Sequence, residues 1–181
     1  MKVTIETERL ILRTLRPDDV SPEYVEWLND PAVNKYLSCV NVRQTFEGCV
    51  GYVRSYEGRN DKGLIGIFLR ENGLHIGNLT ISFIDWESRT GIIGICIGRE
   101  GNAGKGFGKE ALGGLVNYCF RKLGLCCLRA HLNTNNIISL KLFRGCGFEV
   151  EKVVELSAVI DGKPQSDYIV SITEPQNPAC R

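Results

Sequence analysis

At 181 residues the chain is long enough for one domain with a real core, and 43% apolar and 24% charged residues are ordinary values for a soluble globular protein. Twenty-two Lys and Arg stand against 21 Asp and Glu. A net charge of +1 argues against a broad nucleic-acid or membrane surface and leaves room for a local basic site.

The chain opens MKVTIETERLILR, where charges interrupt every apolar run, unlike a signal peptide; no run approaches the roughly 20 apolar residues of a membrane helix. ERLILRTL (8–15) alternates and predicts a first strand. Asp18, Asp19 and Ser21 are cap candidates ahead of a helix in SPEYVEWLND, which Pro31 is expected to break. A second helical stretch follows over roughly 42–58. Two strands are joined across Glu71-Asn72-Gly73, a strong hairpin turn. RTGIIGICIG (89–98) is a further strand, followed by a glycine-rich loop and a helix over roughly 107–123. LCCLRAHL (125–132) is a strand and ISLKLFRGCG (138–147) a short helix. Two closing strands flank a turn at Asp161-Gly162, and EPQNPACR is expected to be a loose tail, which gives one domain over 1–174 and a tail over 175–181. The order is that of an α+β protein, mostly antiparallel with one β-α-β unit at the glycines.

Eight cysteines (39, 49, 96, 119, 126, 127, 146 and 180) are many for this length, but no CxxC pair occurs and only His75 and His131 offer imidazole ligands. Small buried thiols in a reducing cytosol are the expectation, with no metal site and a cytoplasmic location.

The loop GNAGKGFGKEAL (101–112) carries the chemistry. In the helix after it, Leu112, Leu115, Val116, Cys119, Phe120 and Leu123 recur at three and four, so one face packs on the sheet and anchors the helix. The helix N-terminus then presents unpaired N–H groups and a positive dipole end, glycines admit a phosphate to bare backbone, and Lys105 and Lys109 add charge. Three ligands compete. A P-loop needs Ser or Thr after its Lys, and Gly106 stands there. A dinucleotide fingerprint fits loosely as Gly106-x-Gly108-x-x-Ala111, yet it wants an acid at the end of the next strand, which ends Ala130-His131-Leu132-Asn133. Coenzyme A needs a glycine loop at a helix N-terminus and no metal.

Thr7-Glu8-Arg9-Leu10-Ile11-Leu12-Arg13, Trp27-Leu28-Asn29-Asp30-Pro31, Gly77-Asn78-Leu79, Gly94-Ile95-Cys96-Ile97-Gly98, Gly104-Lys105-Gly106-Phe107-Gly108 and Asn136-Ile137-Ile138-Ser139 ending in Cys146-Gly147-Phe148 occur in an order that resembles the GNAT acetyltransferase family, and within it the ribosomal-protein-acetyltransferase-like (RimJ/RimL-type) branch. The resemblance spans nearly the whole chain. It implies a mixed, mostly antiparallel twisted sheet of about seven strands, helices on both faces and a central β-α-β acyl-CoA-binding unit. It implies acetyl-CoA as acetyl donor, with no metal. Gly104, Lys105, Gly106, Phe107, Gly108 and Lys109 would bind the pyrophosphate. Cys96 and Ile97 would pair with the pantetheine arm, and a backbone N–H near Ile97 would polarise the thioester carbonyl. Asn136 would bond the pantetheine amides, and Ser139 would lie near the sulfur.

The departures from the family pattern define the mechanism. The loop's leading Arg or Gln is Ala103 here, a frequent general-acid Tyr is Phe143, and a frequent general-base Glu is Ile92. Asp85 and Glu87 are then the carboxylate candidates for deprotonating the amine, and Ser139 the hydroxyl candidate for protonating the departing thiolate. Transfer is expected to be direct, with Cys96 and Cys146 as packing residues. Trp27, Tyr36 and Tyr168, with Tyr24 and Tyr52 as further aromatics, are candidates to line the acceptor cleft. A polyamine would call for a dense acidic cluster, and Lys35, Arg43 and Arg54 dilute Glu23, Glu26 and Asp30. A small-molecule amine (amino sugar, polyamine or antibiotic) or a protein N-terminus remains open as acceptor. A second copy of the chain is a candidate partner; nucleic acid and membrane are not. A catalytically silent acyl-CoA-binding module and a Rossmann-like nucleotide binder are the alternatives.

Overall fold

A computed structural model describes residues 1–37, 40, 42–98, 101–102, 104–160 and 163–174. The chain runs β1 (Thr4–Glu6), β2 (Leu10–Thr14), a 3-10 turn (Pro17–Asp19), α1 (Pro22–Asn29), α2 (Pro31–Asn34), α3 (Phe46–Arg54), β3 (Gly63–Leu69), β4 (His75–Asp85), β5 (Thr90–Ile97), α4 (Phe107–Arg121), β6 (Cys127–Asn133), α5 (Ile137–Gly145), β7 (Glu149–Ile160) and β8 (Lys163–Thr173). All eight strands join one sheet in the order β1-β2-β3-β4-β5-β6-β8-β7, and only β5 and β6 run parallel. The expected sheet was one strand short: Thr4–Glu6 is a separate strand that pairs antiparallel with β2. The expected turn at Asp161-Gly162 and tail over 175–181 lie outside the described residues.

Strand β3, GLIGIFL, is buried along its whole length because both sheet faces are covered. Ile65, Ile67 and Leu69 join a core with Ala111, Leu112, Leu115 and Cys119 of α4 and Phe143 of α5. Leu64 and Phe68 point the other way, into a second cluster with Tyr24 and Trp27 of α1 and Cys49 and Val53 of α3. Helices therefore cover both faces.

Pro31 does more than end α1. The Asp30 side chain accepts from the Ala32 N–H at 2.8 Å, so Pro31 occupies the first position of a new turn, where its missing N–H is harmless. The helix expected over 42–58 is shorter: the Thr45 side chain caps the Gly48 N–H at 3.0 Å and fixes its start.

Candidate active site

The sheet parts at its one parallel pair. Strands β5 and β6 pair only at Thr90–Ile92 with Cys127–Arg129. Beyond that, β5 follows β4 as far as Ile97 opposite Gly77, and β6 follows β8 as far as Asn133 opposite Asp167. The facing edges over 93–97 and 130–133 thus share no ladder, and an extended ligand can lie between them. Counting from the paired residues, Cys96 and Asn133 stand level across this cleft on the same face of the sheet.

Helix α4 begins at the open end of β5. Gly106, its N-cap, is left-handed (φ 83°) with no side-chain cap, and Gly104 is also left-handed (φ 77°). The N–H groups of Phe107, Gly108 and Lys109 have no intrahelical acceptor, which is the arrangement that binds a phosphate. Lys105 and Lys109 are exposed beside them. Gly108 serves differently. It lies within α4 without a positive φ, and a Cβ there would make ordinary van der Waals contact with Leu142 of α5 at 3.4 Å. Ala103, where the usual loop cation is missing, lies outside the described residues.

Helix α5 brings Asn136 and Ser139 to this place. The Asn136 Oδ1 accepts from the Ser139 N–H at 3.1 Å as the N-cap and leaves its Nδ2 as a donor. Ser139 is three residues before Leu142, so both share the face of α5 turned to the start of α4. Phe143 is buried at 1% exposure, edge-on to Phe148 with ring centroids 5.0 Å apart, and offers no proton. The Cys146 Sγ lies 3.7 Å from the Lys109 carbonyl oxygen, and burial pushes its thiol up, which keeps it protonated at neutral pH. Cys49, Cys96, Cys119, Cys127 and Cys146 form no disulfide; Cys126 departs from the expectation of reduced cysteines and is disulfide-bonded.

Two expectations need correction. Asp85 and Glu87 sit in the β4–β5 turn, beside the Asp85–Thr90 pair at the closed end of the cleft. The Asp85 Oδ1 accepts from the Glu87 and Ser88 N–H groups and its Oδ2 from the Ser88 hydroxyl, and these bonds hold its carboxyl below the ordinary value. It is a turn-forming acid and a weak base. The three aromatics do not share a cleft either. Tyr168 pairs with Leu132 and packs on the α4 core, whereas Trp27 belongs to the opposite face. There the Trp27 indole lies on Gly98, where a Cβ would come within 1.6 Å of its Cε3. Tyr36 does reach the cleft: its hydroxyl donates to the Asn135 carbonyl oxygen at 3.4 Å, beside Asn136.

The sequence reading missed a clamp behind the loop. The Glu110 Oε1 accepts from the Thr7 hydroxyl at 2.6 Å and the Arg9 N–H at 2.7 Å, and its Oε2 from the Arg9 Nε at 2.7 Å. The Arg9 NH1 donates to the Lys105 carbonyl oxygen at 3.0 Å, and its guanidinium covers the Phe107 ring at 4.6 Å. Burial alone would raise the Glu110 carboxyl, but these bonds hold it below its ordinary value. The first-turn acid in GKEAL was the signal available, since such an acid needs a cation when the helix end is kept for an anion.

The family model for the acetyltransferase (GNAT) domain matches residues 9–149. An uncharacterized N-acetyltransferase, p20, of Bacillus licheniformis is 27% identical over 93% of this chain and 95% of its own length. A GNAT-family acetyltransferase of Bacillus anthracis superposes with a TM-score of 0.83 at 20% identity, covering 94% of this chain and 98% of the other. A spermidine N-acetyltransferase of Vibrio cholerae, solved with CoA and spermine, has the same TM-score at 20% identity, over 92% and 96% of the two chains. The chain thus shares their fold, and it belongs to the GNAT acetyltransferase family as an N-acetyltransferase.

Proposed function

We propose that the chain passes an acetyl group directly from acetyl-CoA to the primary amine of a small molecule or a protein N-terminus. The observation that carries this reading is the cleft between β5 and β6, with the uncapped start of α4 at its mouth. The residues fit the donor. Backbone N–H groups of 107–109, with Lys105 and Lys109, suit a pyrophosphate. Beyond the end of its ladder with β6, the edge of β5 towards Ile97 suits the amide-bearing arm, which would add to it as a short strand. The Asn136 Nδ2 suits an amide carbonyl on that arm. When bound, acetyl-CoA supplies an activated acyl carbon.

The chain's own residues then hold and move protons. A backbone N–H of β5 near Ile97 polarises the acyl oxygen, and the Ser139 hydroxyl donates toward the departing sulfur. Cys146 is not the proposed nucleophile, since partial burial pushes its thiol up and keeps it protonated.

Thermal shift with acetyl-CoA, NAD and ATP tests the binding half: a ligand at one hundred times its dissociation constant adds about 2.7 kcal/mol, and only acetyl-CoA is expected to do so. A shift with NAD would favour a nucleotide binder. Amine-dependent thiol release tests the transfer half. Binding without release across spermidine, glucosamine and an alanyl peptide would make the chain a silent acyl-CoA module.

A further inference from the structure

With Ile92 in the place of the usual Glu and Asp85 engaged in a turn, the acceptor side of the cleft needs another carboxylate. The Asn133–Asp167 pair supplies one. Directly paired residues of neighbouring strands point to the same face, so both side chains share the face that carries Cys96, Gly98 and Trp27. Asp167 is half-buried and has no hydrogen bond or ion pair among the described residues. Its neighbour carries a buried donor with no partner. Asn133 is 8% exposed; its Oδ1 accepts from the Asn135 N–H at 2.9 Å, which fixes the amide's orientation, and its Nδ2 is buried with no partner. An unmet buried donor costs about 1–3 kcal/mol. Tyr36, just after α2, donates to the carbonyl oxygen of Asn135, two residues on from Asn133.

We propose that Asp167 and Asn133 receive the acceptor, and that the acceptor is a primary amine with an oxygen acceptor next to it, as in an amino sugar or a peptide N-terminus. This rests on the acetyltransferase reading above. The Asp167 carboxylate binds the ammonium group and takes one proton, which it returns to solvent. The neutral nitrogen forms the C–N bond to the acyl carbon while the C–S bond breaks. Sulfur leaves with the electron pair and takes a proton from Ser139, which is restored by the nitrogen's second proton. The Asn133 Nδ2 donates to the neighbouring oxygen. A polyamine carries no such oxygen and would leave that donor unmet.

Other titratable groups face Asp167 and are held constant in the test. His131 on β6 and Lys152 on β7 lie on the same face, both opposite Ile169, and the Arg129–Glu151 pair lies beyond. Lys35 covers the Tyr36 ring on the α2 side.

The experiment measures thiol release from acetyl-CoA with glucosamine, an alanyl peptide and spermidine, across pH, for the wild type, Asp167→Asn, Asp167→Glu and Asn133→Ser. Acetyl-CoA affinity is measured by calorimetry for each. The wild type should prefer an oxygen-bearing amine over spermidine by about 10²-fold in kcat/KM. Asp167→Asn should lower kcat/KM for every amine by about 10²-fold and move its acidic limb upward, because only amine already neutral in solution reacts. Acetyl-CoA affinity should stay within twofold, and Asp167→Glu should recover part of the loss. Asn133→Ser keeps an oxygen for the Asn135 N–H and should erase the preference over spermidine. Preference for spermidine, an unchanged Asp167→Asn pH profile, or a parallel loss of acetyl-CoA affinity would overturn this assignment while leaving the acetyltransferase reading intact. A wild type that releases no thiol with any of the three would remove both.

Discussion

Phe143 is buried against Phe148 and has no proton to give, so the proposed donor to the departing thiolate is another residue of α5. Ser139, turned toward the start of α4, is the hydroxyl within that helix's first turn. Ser139→Ala is expected to lower kcat about 10- to 100-fold, less than the 10²–10⁴ of full acid catalysis, because coenzyme A leaves readily and water can substitute. Acetyl-CoA affinity should hardly change, since the interaction strengthens only as charge develops on sulfur. Cys96→Ala and Cys146→Ala should keep most activity in the same steady-state assay; an acetyl group trapped on either would refute direct transfer. Gly98 poses a different constraint. Its absent Cβ is the space that the Trp27 ring occupies, so Gly98→Ala should cost about 1–3 kcal/mol in urea unfolding by overpacking.

Among the elements, α4 is held twice. Its apolar face is buried in the sheet, and its first turn is tied through Glu110 to Thr7 and Arg9 between β1 and β2. Arg9→Gln should loosen the loop and leave Glu110 uncompensated beside the phosphate site, so acetyl-CoA affinity should fall about tenfold, equivalent to about 1.4 kcal/mol. Calorimetry would show it, and unchanged affinity would reduce the clamp to a surface ion pair. Glu110 also sets a pH limit. Its folded value lies below the ordinary 4.5, so its contribution to stability is complete above about pH 4.5 and is lost as pH falls through the folded value. Elements with strong local signals were legible from the residues: the Asn72-Gly73 hairpin and the amphipathic α4 follow from turn chemistry and period. The α2 turn was not, because Asp30 and Pro31 act as a cap and first residue only once the chain bends there. Strand β1 was too short to show a period, and Asp167 and Asn133 become neighbours only through the β6–β8 register.

On the scale of the whole molecule, a buried histidine couples one packed face to pH. His75 is stacked between Phe68 and Tyr24, with centroids 4.7 and 5.4 Å away, and its Nε2 lies 2.9 Å from both the Gly77 carbonyl oxygen and the Asn78 Oδ1. Burial holds it below its ordinary 6.5. Below about pH 6.5 the unfolded chain therefore binds the proton more readily, and stability falls as pH falls toward the folded value. Scanning calorimetry should find a lower Tm at pH 5.5 than at 7.5, with the difference reduced in His75→Gln; equal slopes would show that His75 does not govern this window. The proposed function divides the duties: the covered sheet keeps the strands in place, and the parting of β5 and β6 is proposed to receive the ligand.

That division is tested most directly by calorimetric titration of acetyl-CoA into the wild type and Gly106→Val. Gly106 has φ 83°, which a β-branched residue adopts only under strain, and its bare backbone lies where the proposed site would take the phosphates. The wild type should bind acetyl-CoA, and Gly106→Val should lose at least about 10²-fold in affinity, equivalent to about 2.7 kcal/mol, while unfolding as cooperatively as the wild type. Equal affinity in a folded Gly106→Val would contradict the account, because the ligand would then not lie on the loop.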